Sequence, residues 1–488
     1  MLLIRRIFFY LFILAYLIYC PVLIFYALGY IVRPGENQAI VKSGLIYLST
    51  APSGATVYLG NRKYFRKTPA VLSDLIPGSY EVKLTRKKYK PWTKTVPVEA
   101  GKATVLEQIL LLPNQWKTEK LISEFFGDLI PILGSHYLIL AKNENAEDIF
   151  IYDRKLDELE KLFPFYSPFG KARVMKYFFT EKSASFILQL DTESGEKFLW
   201  ITPRRKEIRI KEVTALFSDK PEHIEWDPSE HKTLFSLQNG YLDALNLSEK
   251  TAQPKFISDL RGFGIHERKI YALKNNFTVE RFNSRGEEEK VLFNDVLLGQ
   301  KLFSKEFYRI KILSEDIILF LGEDGSLIVN RFPYQFLEEG LIGLQFDSKQ
   351  DRLLVWTKEA IGFLHFTKPK TNPAQIFDSG TQLIWIYSKG TKIEQAFWVF
   401  DGSHVLFRDQ NKIYLMELET YGKPHLYELL EVQDKSSIYY HEDSGNLYYL
   451  EKETGHLSAL ELLPRQEILT LPFPERKEER KKTEIGTL

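Results

Sequence analysis

Hydrophobic and polar positions divide the chain into three regimes. Residues 7–31 form a run of 25 without a charged side chain. At ~1.5 Å rise per residue, a helix of that length reaches about 37 Å, enough to cross a ~30 Å hydrocarbon core with some tilt. The run predicts one uncleaved transmembrane helix. A signal peptide has an apolar stretch of only about 7–15 residues and a small-residue cleavage site, whereas this run leads into Tyr30, Ile31 and Val32. Pro21 falls mid-span, which lipid-embedded helices tolerate. Between 44 and 112 apolar and polar residues alternate in short stretches cut by Pro and Gly, the period-two pattern of a small antiparallel β-sandwich.

From 114 to 464 a different pattern recurs: an apolar strand, a tight polar turn and an aromatic-rich strand. Its copies begin at Tyr137, Ser185, Thr233, Ile270, Ile317, Leu353, His404 and Asn446, about 44 residues apart on average. A hairpin repeat of about 40–50 residues is the mark of a β-propeller blade. The fold class expected is therefore an all-β soluble part, a sandwich followed by a propeller of eight blades, behind one N-terminal transmembrane α-helix. Seven blades plus an irregular unit stay open. So does the strand that closes the ring, which either 466–473 or the stretch around Lys120 supplies. The expected boundaries are 1–6 for a cytoplasmic N-terminus, 7–31 for the span, 44–112 for the sandwich, 114–473 for the propeller and 474–488 for a disordered charged tail.

Charge and composition then narrow the classes. Lys+Arg number 65 against Asp+Glu 64, so no global field marks a nucleic-acid binder. Aromatics make up 14%, which two-sided sheet packing in the blades accounts for. One cysteine, Cys20, excludes an internal disulfide framework and a Cys-based zinc site. It lies inside the span, and Tyr19 before it argues against lipidation. Arg5 and Arg6 against Arg33 and Lys42 bias the N-terminus to the cytoplasm, leaving the bulk of the chain outside. Tyr10, Tyr26 and Tyr30 fit interfacial anchors. Arg62, Lys63, Arg66, Lys67, Arg86, Lys87, Lys88, Lys90 and Lys94 make the sandwich dense in positive charge, either a solvated basic face or a contact for anionic headgroups or wall polymer.

The punctuation of the sandwich carries a resemblance. It runs Pro52, Ser53, Gly54, Ala55, then Thr68 and Pro69, then Pro77, Gly78 and Tyr80, then Lys88 and Tyr89. In this order the motifs resemble the PEGA domain over about 70 residues, with Ser53 in place of Glu and Lys88 where the family usually has Gly. The resemblance implies a small β-domain in an extracytoplasmic, envelope-associated protein, a spacer or interaction module without catalytic residues. The turns around Trp226 and Asp227, Phe346 and Asp347, and Phe400, Asp401 and Gly402 look like a degenerate form of the W-x-P-D-G turn in WD-repeat-like and TolB-like propellers.

Chemistry is sparse. The chain has no phosphate loop, dinucleotide fingerprint, H-E-x-x-H or nucleophile elbow. Its nine histidines lack ligand spacing. Asp324-Gly325 and Asp401-Gly402 read as hairpin turns before calcium ligands. Asn246 and Asn276 head glycosylation sequons of the kind that arise by chance. No catalytic, cofactor-binding or metal residue is assigned, and no cofactor is expected. The leading expectation is a non-catalytic, membrane-anchored binding platform for a partner protein or surface polymer, with the bilayer contacted through 7–31. One alternative is an enzyme whose channel gathers Glu225, Asp227, Asp347 and Asp401; another is a subunit of a membrane assembly.

Overall fold

The computed structural model describes residues 2–32, 40–163, 169–180, 183–205, 207–230, 232–314, 317–330, 334–347, 351–366, 383–418 and 424–462. Helix α1 spans Leu2–Ala27, within which Ile7–Ala27 is apolar enough to cross a membrane and is not buried against the rest of the described chain. It stops short of the expected end at 31. Gly29 sits at φ +84°, the left-handed conformation that closes helices cheaply only in glycine, and its N–H donates to the Tyr26 carbonyl. Tyr30 and Ile31 instead belong to a strand, β1 (Tyr30–Val32), paired with β2 (Ile40–Lys42).

The sandwich follows. Strands β3 (Gly44–Ala51), β6 (Ala70–Leu75) and β9 (Ala103–Leu110) make one sheet, with β3 in the centre. Strands β4 (Thr56–Leu59), β5 (Arg62–Lys67), β7 (Gly78–Thr85) and β8 (Trp92–Val98) make the other. Alternate residues of β3 and β8 point inward, so Ile46, Leu48, Val57, Val82, Leu84, Trp92 and Val96 form a closed core. Its two ends are distinct. Gly44 lies beside Leu75, Val98 and the 99–102 turn, whereas Ala51 lies beside Leu110 and its carbonyl accepts from Leu111 N–H. The chain therefore enters the module at one end and leaves it at the other.

Eight four-stranded antiparallel sheets follow, covering 128–161, 172–212, 223–258, 260–293, 308–338, 343–387, 393–431 and 439–461. Each is a meander whose first strand is innermost. The eighth has only three strands of its own, and β10 (Lys117–Ile122) adds its outer strand by pairing with Leu457–Glu461. Closure thus comes from the Lys120 stretch, and the candidate at 466–473, like the expected tail 474–488, lies outside the described residues. All eight predicted hairpins are the second and third strands of a blade. Those strands carry apolar residues on both faces because both faces are covered: Tyr137–Ala141, Arg352–Trp356 and His404–Asp409 are buried at every position.

Neighbouring blades are joined by side chains reaching backbone groups of the inner strands. The Trp226 indole donates to the Phe178 carbonyl at 3.0 Å, and the Trp398 indole to that of Gln345 at 3.3 Å. The Gln345 amide oxygen accepts from Trp398 N–H at 2.7 Å, and that of Gln395 accepts from Ile438 N–H at 2.8 Å. An inner strand has no neighbour on its channel side, so these contacts satisfy part of an edge that would otherwise need water. Between blades four and five the approach is closer. A Cβ on Gly262 or Gly264 would lie 2.0 Å from the carbonyl oxygens of Tyr308 and Ile310.

Candidate functional site

All but one of the PEGA-like motifs come together at the exit end of the sandwich. Gly54 N–H donates to the Thr68 carbonyl at 2.8 Å, Thr68 N–H to that of Ala55 at 3.0 Å, and Ala55 N–H to the Thr68 hydroxyl oxygen at 2.9 Å. Thr68 also meets the Thr50 hydroxyl at 2.5 Å, and Arg86 donates to the Ser53 carbonyl at 2.6 Å. Pro52 and Pro69 both follow cis peptides at this joint. Pro77 and Gly78 turn the chain into β7 at the other end, where the Tyr80 hydroxyl donates back to the Ile76 carbonyl at 2.7 Å. Tyr89 bridges to Pro113, under the Arg86 guanidinium at 5.2 Å. These residues are spent on the module's own turns.

The basic residues divide. Arg62, Lys63, Arg66 and Lys67 lie exposed along the edge strand β5, with Phe65 projecting fully into solvent among them, and none of the four forms an ion pair among the described residues. Lys87 and Lys88 are exposed on the turn after β7, beside the half-buried Arg86. Lys94 departs from the expected basic surface. It is buried, because the exit end of the sandwich is covered by the propeller.

That covered surface holds a buried polar cluster. Glu417, at the end of blade seven's third strand, accepts from the Trp92 indole at 3.1 Å, contacts His425 Nδ1 at 2.7 Å and faces Lys94 Nζ at 3.7 Å. The Trp92 and His425 rings meet edge to face at 5.7 Å. Burial pushes the Glu417 carboxyl up, but the His425 hydrogen bond and the Lys94 charge outweigh it and hold it below the usual range. His404, alongside, is fully buried and pushed down to about 4 by desolvation, so it is neutral at pH 7. Its Nδ1 lies 2.9 Å from the Ser403 hydroxyl. Beyond this network Leu110 and Leu112 continue from β9 into the apolar core of blades seven and eight, against Leu415, Val432, Ile438 and Leu447. Two charges removed from water keep their stability only with such partners, and here they fasten two domains. No sequence signal marks these residues, since Trp92 and Glu417 are 325 positions apart.

The four acids proposed for a channel each have local work instead. Asp347 pairs with Arg352 at 2.9 Å, and the same Arg352 donates to the Gly402 carbonyl at 2.9 Å and lies over the Trp398 ring at 4.3 Å. Asp227 accepts from Ser229 N–H within its turn. Glu225 sits by His223 at 3.8 Å, and desolvation raises its pKa. Asp401 forms the turn that hands the Gly402 carbonyl to Arg352. Asp324 is held near a pKa of about 2, first by Lys305 at 2.9 Å, and also accepts from Ser326 N–H as a turn residue does. Asn246 and Asn276 likewise cap their own turns through Ser248 and Thr278 N–H. Among the described residues no group of three or more His, Cys, Asp or Glu is placed to hold a metal.

Clefts open on both faces of the ring. On the face opposite the joint, one of about 660 Å³ lies between blades one and two, lined by Glu147, Asp148, Lys171, Arg173, Asp191 and Thr192. On the joint side, one of about 340 Å³ lies between blades three and four, near Asp227, Glu249 and Arg268.

No curated protein matches the chain. Among solved structures it is similar to the C-terminal WD40 domain of Sif2, at 10% identity and a TM-score of 0.44 over 71% of this chain and 98% of that one. It is also similar to the Cps50 (Swd1) β-propeller domain of Myceliophteria thermophila, at 12% identity and 0.35 over 71% and 99%. A third, PorZ, a surface component of the type-IX secretion system of Porphyromonas gingivalis, gives 11% and 0.36 over 68% of this chain and 42% of that one. The ring itself is established by its eight sheets. Residues 43–111 match the PEGA domain, so the chain contains a PEGA domain, with an N-terminal apolar helix before it and a β-propeller of eight four-stranded sheets after it.

Proposed function

We propose that the protein is a single-pass membrane protein of a bacterial cell envelope, with a cytoplasmic N-terminus, whose PEGA domain holds the propeller off the bilayer as a non-catalytic binding platform. The observation that carries this reading is the polarity of the PEGA domain. The helix feeds its entry end, and its exit end is locked to blade seven through Glu417 and to blades seven and eight through Leu110 and Leu112. A strand of eight residues spans about 26 Å, so the domain is a rigid stand-off of that order. The ring face opposite the joint is then presented away from the membrane, and we assign it to the partner, a protein or a surface polymer rather than nucleic acid. The local engagement of Asp227 by its own turn and of Asp347 by Arg352 supports a platform over a channel enzyme.

Alkaline phosphatase fused to the C-terminus and assayed in intact bacteria tests the location. Activity is the expected outcome, and an inactive fusion with full expression overturns it. Affinity capture of the full chain from detergent extract, compared with a variant reversed in charge at Lys171 and Arg173, tests the face. Loss of the captured partner is expected, and unchanged capture moves the site elsewhere.

A further inference from the structure

Within Ile7–Ala27 the residues Phe9, Phe12, Tyr16, Tyr19, Leu23 and Tyr26 follow one another at alternating steps of three and four, the spacing of a heptad seam. Five of these six are aromatic, against three of the other fifteen positions, and three of the helix's four tyrosines fall on the seam. The face is therefore richer in aromatic rings than the remainder. Nothing among the described residues covers it, since all six side chains are exposed.

Tyr16 and Tyr19 lie within two residues of the middle of the span. At ~1.5 Å per residue that is about 3 Å from the midplane, too deep for a phenol to reach either interface as an anchoring tyrosine does. A hydroxyl in hydrocarbon has no water to bond. Tyr16 reaches the Cys20 thiol, a weak partner, and Tyr19 has no hydrogen-bond partner among the described residues. Interhelical hydrogen bonds are the usual resolution for such groups.

We infer that this face pairs with the same face of a second copy of the chain, making a parallel dimer in the membrane. A hydroxyl both donates and accepts, so one residue type meeting its own copy across a two-fold axis satisfies both sides. Such an isologous contact needs no second kind of helix, and no other candidate span exists among the described residues. The 3–4 spacing is that of left-handed helix pairs, at crossing angles near +20°. The inference rests on the reading of this helix as a membrane anchor.

The test uses the full chain in native membranes with Cys20→Ser as background. Single cysteines go on the seam, Phe12→Cys or Leu23→Cys, or off it, Leu14→Cys or Phe25→Cys, and are oxidised and resolved without reductant. Seam positions are expected to give at least about five-fold more homodimer than off-seam ones. Adding Tyr16→Phe and Tyr19→Phe to Leu23→Cys is expected to lower the dimer at least about three-fold. Equal cross-linking at all four positions, cross-links only to a different protein, or a dimer insensitive to loss of the hydroxyls would overturn it. Carbonate extraction separates the two failures: release of the protein defeats the anchor and the seam together, whereas retention with no seam pattern defeats the seam alone.

Discussion

Lys88 stands at φ +73°, a conformation that costs an L-residue about 1 kcal/mol relative to glycine. The family's usual glycine at this step therefore has a conformational cause, and the departure at Lys88 carries a penalty. Lys88→Gly is expected to raise the stability of the domain by roughly 0.5–1 kcal/mol, read as a higher denaturation midpoint with unchanged slope. His404 offers the opposite case, a group whose burial costs stability in acid. Its folded pKa, near 4, lies below the unfolded value of about 6.5, so the unfolded chain binds the proton first as pH falls. Its contribution is intact above about pH 6.5 and is lost between there and pH 4, for a total of about 3 kcal/mol. Glu417, held below its ordinary value, adds a loss in the same direction as pH falls below about 4.5. His404→Asn is expected to flatten the pH 4–6.5 limb of the unfolding profile, and an unchanged limb would assign the acid sensitivity elsewhere. Neither residue's role was legible in sequence: a lysine at positive φ and a histidine without water look like any others.

At the scale of strands and blades, the period-two and 44-residue patterns held up because burial on both faces forces bulky side chains at every position of the second and third strands. All eight hairpins were readable for that reason. The outer strands were not, since one side faces solvent and their composition relaxes to that of loops; Lys117–Ile122 is exposed along most of its length. The inner strands carried a signal of another kind. Trp226 and Trp398 occupy matching places, and each donates its indole N–H to the blade before it. Gly262 and Gly264 read as weak points in a strand but are demanded by the Tyr308 and Ile310 carbonyls. Gly264→Ala is expected to force blades four and five apart and to cost ~2 kcal/mol or more. A thermal midpoint within error of the parent would show that the blades separate freely.

For the whole molecule, the decisive contacts join segments hundreds of residues apart, and this is the part no local pattern reveals. The PEGA motifs were legible and their module was found where they placed it, yet its attachment through Trp92, Lys94 and Glu417 was hidden. By sequence Lys94 belongs with the surface charges, yet it is buried at this joint. Glu417→Ala leaves Lys94 buried without its counter-charge and Trp92 without its acceptor, so a loss of about 3–5 kcal/mol is expected. Faster proteolysis across 111–117, with the blades otherwise resistant, would locate that loss at the joint. The closing blade has a consequence for the order of synthesis. Its outer strand is made before any other part of the ring, and its three partners last, more than 300 residues later. If blades form as they emerge, β10 must wait beside an already folded PEGA domain that keeps it pinned near the place where the final strand will arrive. The tight junction between the two domains thereby does a kinetic service, shortening the search that closes the circle, and loosening it should slow refolding more than it speeds unfolding.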